Sequence, residues 1–152
     1  MRKAVPKDIP TLLGLMSEFY AESGHELDHA LAERAFAAIL AEERLGQVWL
    51  IDDENKNVGY LVLTLRFGME YGGLIGCLDD LFVVPPSRNQ GLSTAALTDV
   101  RDFCKASGIR ALTVEVGFSN GPAQAVYRRV GLTAAPDRQL LALALARPTH
   151  VI

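Results

Sequence analysis

Two adjacent carboxylates, Asp79 and Asp80, stand inside the otherwise apolar run Gly72 to Val84. A carboxylate in apolar surroundings is costly to bury without a partner. Burial also raises its pKa toward the range in which it can take a proton at neutral pH. Strand alternation sends neighbours to opposite faces, so one of the pair at most faces a cleft. The plain alternative is one carboxylate paired with an arginine and the other solvated. Just beyond, Pro85 and Pro86 end the run, and Arg88-Asn89-Gln90-Gly91-Leu92-Ser93-Thr94 opens a helical pattern. A helix start presents free N–H groups and a positive dipole end, which suit a phosphate. Gly91 would let the backbone approach a diphosphate closely. Arg88 adds a fixed fork of charge, and Ser93 and Thr94 add hydroxyls. No Gly-Lys-Ser/Thr follows, so this is not a Walker loop, and one glycine is not a dinucleotide fingerprint. The bland reading is a strand–helix corner eased by a glycine.

Further along, Ala123, Val126, Tyr127 and Val130 share one helical face, which by itself makes Tyr127 a core tyrosine. Asn120 is placed to cap that helix, with Pro122 in its first turn. No His/Cys/Asp spacing suggests a metal site. Cys77 and Cys104 read as small buried residues of a reducing compartment. Trp49 reads as strand core.

Several elements must position these groups. Apolar spacing predicts helices over residues 7–22, with Asp8 as N-cap, and 28–43, ended by Gly46. Strands follow at 47–51 and 57–66 around a polar turn, then the long fourth strand, Gly72 to Val84. A helix from Leu92 closes at Gly108, a strand spans 110–116, a short helix spans 121–130, and residues 138–146 read as a C-terminal strand. With "RKAV" as a first strand, the order implies a mixed sheet with helices on its faces. The chain has 152 residues and no repeat or linker, which predicts a single domain over 1–152. Its net charge of −3 and lack of a basic stripe argue against nucleic acid. The apolar run Leu140 to Ala146 is too short to span a bilayer, and no signal peptide is visible, so a cytoplasmic protein is expected.

The segment "DDLFVVPPSRNQGLS" resembles the acyl-coenzyme-A motif of the GNAT superfamily of N-acetyltransferases. Arg88 and Gly91 match its Arg/Gln-x-x-Gly-x-Gly/Ala pattern, and Ser93 stands where Gly or Ala is usual. A second segment, "NGPAQAVYRRVGL", is similar to the family's Asn-x-x-Ala/Ser-x-x-x-Tyr-x-x-x-Gly pattern through Asn120, Ala123, Tyr127 and Gly131. The resemblance implies an α/β fold: a mixed, centrally splayed sheet of about six to seven strands flanked by about four helices. It implies acetyl-CoA as cofactor, held along Leu81, Phe82 and Val83 of the irregular fourth strand, by residues 88–94, and by Asn120 and Pro122. Tyr127 matches the general acid. Asp79, ahead of Asp80, matches the acidic base of polyamine-type relatives. Phe19, Tyr20, Glu70 and Tyr71 are the acceptor-pocket candidates. The implied activity is direct transfer of acetyl to a primary amine of a small molecule, in a homodimer. Protein N-termini or lysines are the alternative acceptors, and a non-catalytic acyl-CoA-binding module is the alternative role.

Overall fold

The computed structural model describes residues 1–135, 137, 139–146 and 149. The elements run β1 (Arg2–Lys3), α1 (Ile9–Glu22), α2 (His29–Ala41), β2 (Gly46–Asp53), β3 (Lys56–Gly68), β4 (Gly73–Val83), α3 (Leu92–Ala106), β5 (Ala111–Val114) and α4 (Gly121–Arg129). The strands lie side by side in chain order. β1 to β4 pair antiparallel, and β5 pairs parallel to β4, with α3 as the crossover. This is a mixed α/β sheet flanked by helices.

Period-two alternation sorts the strand side chains into two cores. Val48, Leu50, Tyr60, Val62 and Phe82 face α1 and α2, meeting Leu12, Leu15, Met16, Ala32 and Phe36. Trp49, Ile51, Leu61, Leu63, Leu78 and Val83 face α3, meeting Ala96, Leu97, Val100 and Cys104. Leu78 and Phe82 are an even number of residues apart, yet they sit on opposite faces. The cause is a β-bulge: Leu63 pairs with Leu78 and Val62 with Asp80, which leaves Asp79 as the extra residue of β4.

Three expectations are corrected. Five strands form among the described residues, not six to seven, because residues 139–146 pair with no described residue and Arg138 lies outside the described residues. Gly46 does not end α2; it opens β2 at a φ of 150°, where a Cβ would stand 2.0 Å from the Leu63 carbonyl oxygen. Asp8 precedes α1 as expected, but its side chain makes no cap bond to the helix. Its carboxylate accepts from Arg2 at 2.8 and 2.9 Å and from the Val5 N–H at 2.9 Å.

Candidate active site

After β4, a turn at Pro85–Ser87 delivers Arg88 to the start of α3. Asn89 and Gly91 both take left-handed conformations, with φ of 61° and 83°, and no atom lies within 4 Å of a Cβ built on Gly91. The backbone there is open to an approaching group. The first helical bond runs from Ala95 N–H to Gly91 C=O at 2.9 Å. Among the described residues, the N–H groups of Leu92, Ser93 and Thr94 therefore have no partner, and Gly91 supplies no side-chain cap. Arg88 is held from three sides. Its Nε donates to the Val83 carbonyl at 2.7 Å, it lies 5.5 Å from the centre of the Phe82 ring, and it ion-pairs with Glu22 at the end of α1.

β4 and β5 stay paired only from Ile75/Ala111 to Leu78/Val114. Past that point β5 ends, and β4 runs on from Asp79 to Val83 without a strand on that side. Val84 N–H donates to Val58 of β3 at 2.8 Å. By the two-residue period, the Leu81 and Val83 N–H groups point the other way, into the gap. α4 lies across this gap. Its N-cap is Asn120, whose side chain accepts from Ala123 N–H at 3.2 Å, with Pro122 in the first turn. A cavity of about 320 Å³ results, lined by Leu81, Phe82, Val83, Arg88, Asn89, Gly91, Leu92, Ser93, Thr94, Asn120, Pro122 and Tyr127. Two signatures some thirty residues apart in sequence thus meet at one site.

Tyr127 is half-buried at the gap, and its hydroxyl bonds to no described residue. Burial, then the negative charge of Asp80, raises its pKa, so the phenol stays protonated. Asp80 faces the α1 side, where the Tyr60 hydroxyl donates to it at 2.9 Å. Burial pushes the Asp80 carboxyl up to about 6; the Tyr60 bond opposes this, and the charge of Asp79 adds to it. Asp79, at the bulge, is the more exposed of the two and is raised by burial alone. Neither carboxylate has an ion-pair partner among the described residues. Tyr20 completes the group, its phenol raised by burial and then by Asp80.

A model of the acetyltransferase (GNAT) family matches residues 11–132. The chain belongs to that family. It is 24% identical over 131 residues to an aminoalkylphosphonate N-acetyltransferase of Salmonella typhimurium, covering 86% of this chain and 82% of that one. An integron cassette protein from the mobile metagenome of Cole Harbour salt marsh superposes with a TM-score of 0.89 at 48% identity, over 97% of this chain and 91% of that one. A predicted acetyltransferase of Clostridium acetobutylicum, solved with acetyl-CoA, superposes with a TM-score of 0.77 at 21% identity, over 93% and 94% of the two chains. The protein is an acetyltransferase, and acetyl-CoA is its acetyl donor.

Some sequence-based candidates fall elsewhere in the acetyltransferase. Gln90 does not line the cavity; its side-chain amide reaches back to the Pro86 carbonyl at 3.5 Å, bracing the corner. Glu70 and Tyr71 are not at the gap. The turn between β3 and β4 carries them to a separate open depression with Lys105, Gly108, Ile109 and Arg110. Phe19 does line the main cavity, 5.5 Å from Phe82 and 5.4 Å from Tyr20, ring centre to ring centre. Glu22 and Arg129 line it too and escaped the sequence reading. Arg129 follows Tyr127 by two residues and could have been noticed, but nothing near Glu22 in sequence connects it to Arg88. Thr149 also escaped notice: it hydrogen-bonds the Tyr20 phenol, and its carbonyl accepts Asp28 N–H at 2.7 Å. Cys104 is buried core with its thiol pushed up to about 11. Among the described residues no group of His, Cys, Asp and Glu could hold a metal, and no helix is long and apolar enough to cross a membrane.

Proposed function

We propose that residues 1–152 act as one domain that moves acetyl from acetyl-CoA to the primary amine of a small molecule by direct attack. The observation that carries this reading is the meeting, at the β4–β5 gap, of the Tyr127 phenol, which bonds to no described residue, and outward-facing strand amides, with the raised Asp80 carboxyl on the α1 face near enough for its charge to act on that phenol. Bound acetyl-CoA supplies an activated acetyl group and a thiolate that can leave. The free N–H groups of Leu92, Ser93 and Thr94, with Arg88, hold its diphosphate. Leu81 and Val83 N–H groups donate to the oxygen on which negative charge grows. Asp80, steadied by Tyr60, takes a proton from the incoming ammonium. Tyr127 gives its proton to the departing sulfur. Phe19 and Tyr20 line the acceptor side.

A small cationic acceptor is supported by two carboxylates, Asp79 and Asp80, that have no ion-pair partner among the described residues, by the net charge of −3 and by the activity named for the Salmonella relative. The test is release of free thiol from acetyl-CoA with a panel of polyamines, amino acids, aminoalkylphosphonates and a lysine-bearing peptide. Turnover confined to small amines is the expected result. Preference for the peptide overturns the acceptor assignment, and tight acetyl-CoA binding without turnover of any amine overturns the catalytic one.

Arg88→Glu should weaken acetyl-CoA binding by about 2–4 kcal/mol, since a charge-assisted contact becomes a repulsion. Calorimetry beside a thermal melt checks this; unchanged affinity in a folded variant would move the diphosphate elsewhere. Tyr60→Phe should shift the acidic limb of kcat/KM upward from about 6, because the lost hydrogen bond is what holds the Asp80 pKa down. A limb that stays in place would detach Asp80 from the pH dependence.

A further inference from the structure

Glu22 is the last residue of α1, where the helix presents its partial negative end, and no basic residue stands in that last turn. A carboxylate is opposed there by the helix itself, so local structure gives no reason for it. What offsets the charge lies 66 residues away: the guanidinium of Arg88, whose Nη2 donates to Glu22. Arg88 does not need this partner to stay in place. Its Nε donation to the Val83 carbonyl ties it to β4, and the Phe82 ring lies beneath it. Both side chains are 39% exposed, so the pair can part without stranding a charge out of water. Glu22 and Phe19, one turn apart on α1, line the same cavity as Leu92, Ser93 and Thr94.

We propose that Glu22 is a shared carboxylate: it pairs with Arg88 while the site is empty, yields Arg88 to the diphosphate of acetyl-CoA, and then takes the ammonium of the acceptor. This rests on the cofactor and acceptor assignments made above. The exchange follows from the charges. A diphosphate brings more than one negative charge and gains, beside Arg88, the N–H groups of Leu92, Ser93 and Thr94. Glu22 brings a single charge and gains the guanidinium alone. The diphosphate therefore wins the fork. Displaced, Glu22 is a carboxylate without its cation, one turn from Phe19 and close to a second anion. An incoming ammonium restores the balance. Binding of the donor thereby prepares binding of the acceptor, and by reciprocity the acceptor tightens the donor.

CoA carries the same diphosphate and has no acetyl group to transfer, so it reports binding alone. For Glu22→Gln, calorimetry should give a Kd for CoA about two- to fivefold lower than wild type, the strength of a half-exposed ion pair, with the gain shrinking at high salt. At saturating acetyl-CoA, KM for the amine turned over fastest in the thiol-release panel should rise about tenfold with kcat little changed. CoA should tighten binding of that amine to the wild type and not to Glu22→Gln. A packing role for Glu22 does not move the two affinities in opposite directions, and a thermal melt checks that the variant is folded. Weaker or unchanged CoA binding in Glu22→Gln overturns the proposal, as does an unchanged KM for the amine. Arg88→Gln separates this from the assignment beneath it. If Arg88→Gln leaves CoA affinity intact, the diphosphate lies elsewhere and the cofactor assignment falls. If it weakens CoA while Glu22→Gln does not tighten it, the shared carboxylate alone falls.

Discussion

Asp80→Asn lowers turnover at neutral pH by roughly 10²- to 10⁴-fold, the range expected when a positioned general base is removed. Asp79→Asn loses much less. The ordering follows from the bulge. Asp79 is the residue without a cross-strand partner and lies more in water, whereas Asp80 is turned to the α1 face against Tyr60 and Tyr20. A carboxyl held near 6 is mostly ionised at pH 7.5, so it can accept a proton, and wild-type kcat/KM should rise as pH climbs through about 6. In the asparagine variant that limb disappears. The rate should then follow the free-amine fraction, with partial recovery at high pH.

Stability moves the other way, which separates a base from a structural carboxylate. The folded-state pKa of Asp80 lies above its ordinary value of 3.8, so the ionised form is penalised by folding. That penalty is full above about pH 6 and is relieved as pH falls toward 4. Asp80→Asn keeps an acceptor for the Tyr60 hydroxyl and removes the charge, so it should hold or raise stability at pH 7.5, by up to about 3 kcal/mol. Thermal melts at pH 7.5 and 5 check the sign. A destabilised variant, or an Asp79 variant with the larger catalytic loss, would reverse the assignment.

The helix-start half of the candidate site was legible in the sequence because its parts are local. Arg88, Gly91 and the helix that follows are neighbours, and the chemistry of a helix start needs no distant residue. The second segment was legible for the same reason, as Asn120 caps the short helix that carries Tyr127. The choice between the carboxylates was not. It depends on one inserted residue in β4, and strict alternation assigns faces wrongly past such a bulge. That Glu70 and Tyr71 lie away from the gap was not legible, because polarity near a long strand does not say which end of the sheet a turn occupies. Glu22 reaches Arg88 across 66 residues of sequence, a contact that only packing of α1 on Phe82 creates. That no sixth strand forms among the described residues has a different cause. The leucine pattern of 139–146 is strand-like, but a pattern cannot name the edge that completes it.

Tyr127→Phe tests the remaining proton. The substitution keeps the ring, so the packing of α4 on the α3 face and the affinity for acetyl-CoA should both survive. What is lost is a phenolic proton held in the gap by a raised pKa. A thiolate that leaves unprotonated is a poorer product and a better nucleophile for return, so turnover should fall by roughly 10²-fold or more. The measurement is kcat, with KM for acetyl-CoA beside it, because a binding role would move KM and a proton-donating role kcat. Acetyl-CoA is the discriminating substrate, and an acetyl donor with a more acidic leaving group supplies the control. That leaving group needs less protonation, so the deficit of the phenylalanine variant should shrink with it. A deficit of the same size for both donors would mean that the hydroxyl positions the acetyl group rather than feeding the sulfur. Near wild-type turnover would return Tyr127 to the core that its neighbours Ala123, Val126 and Val130 define.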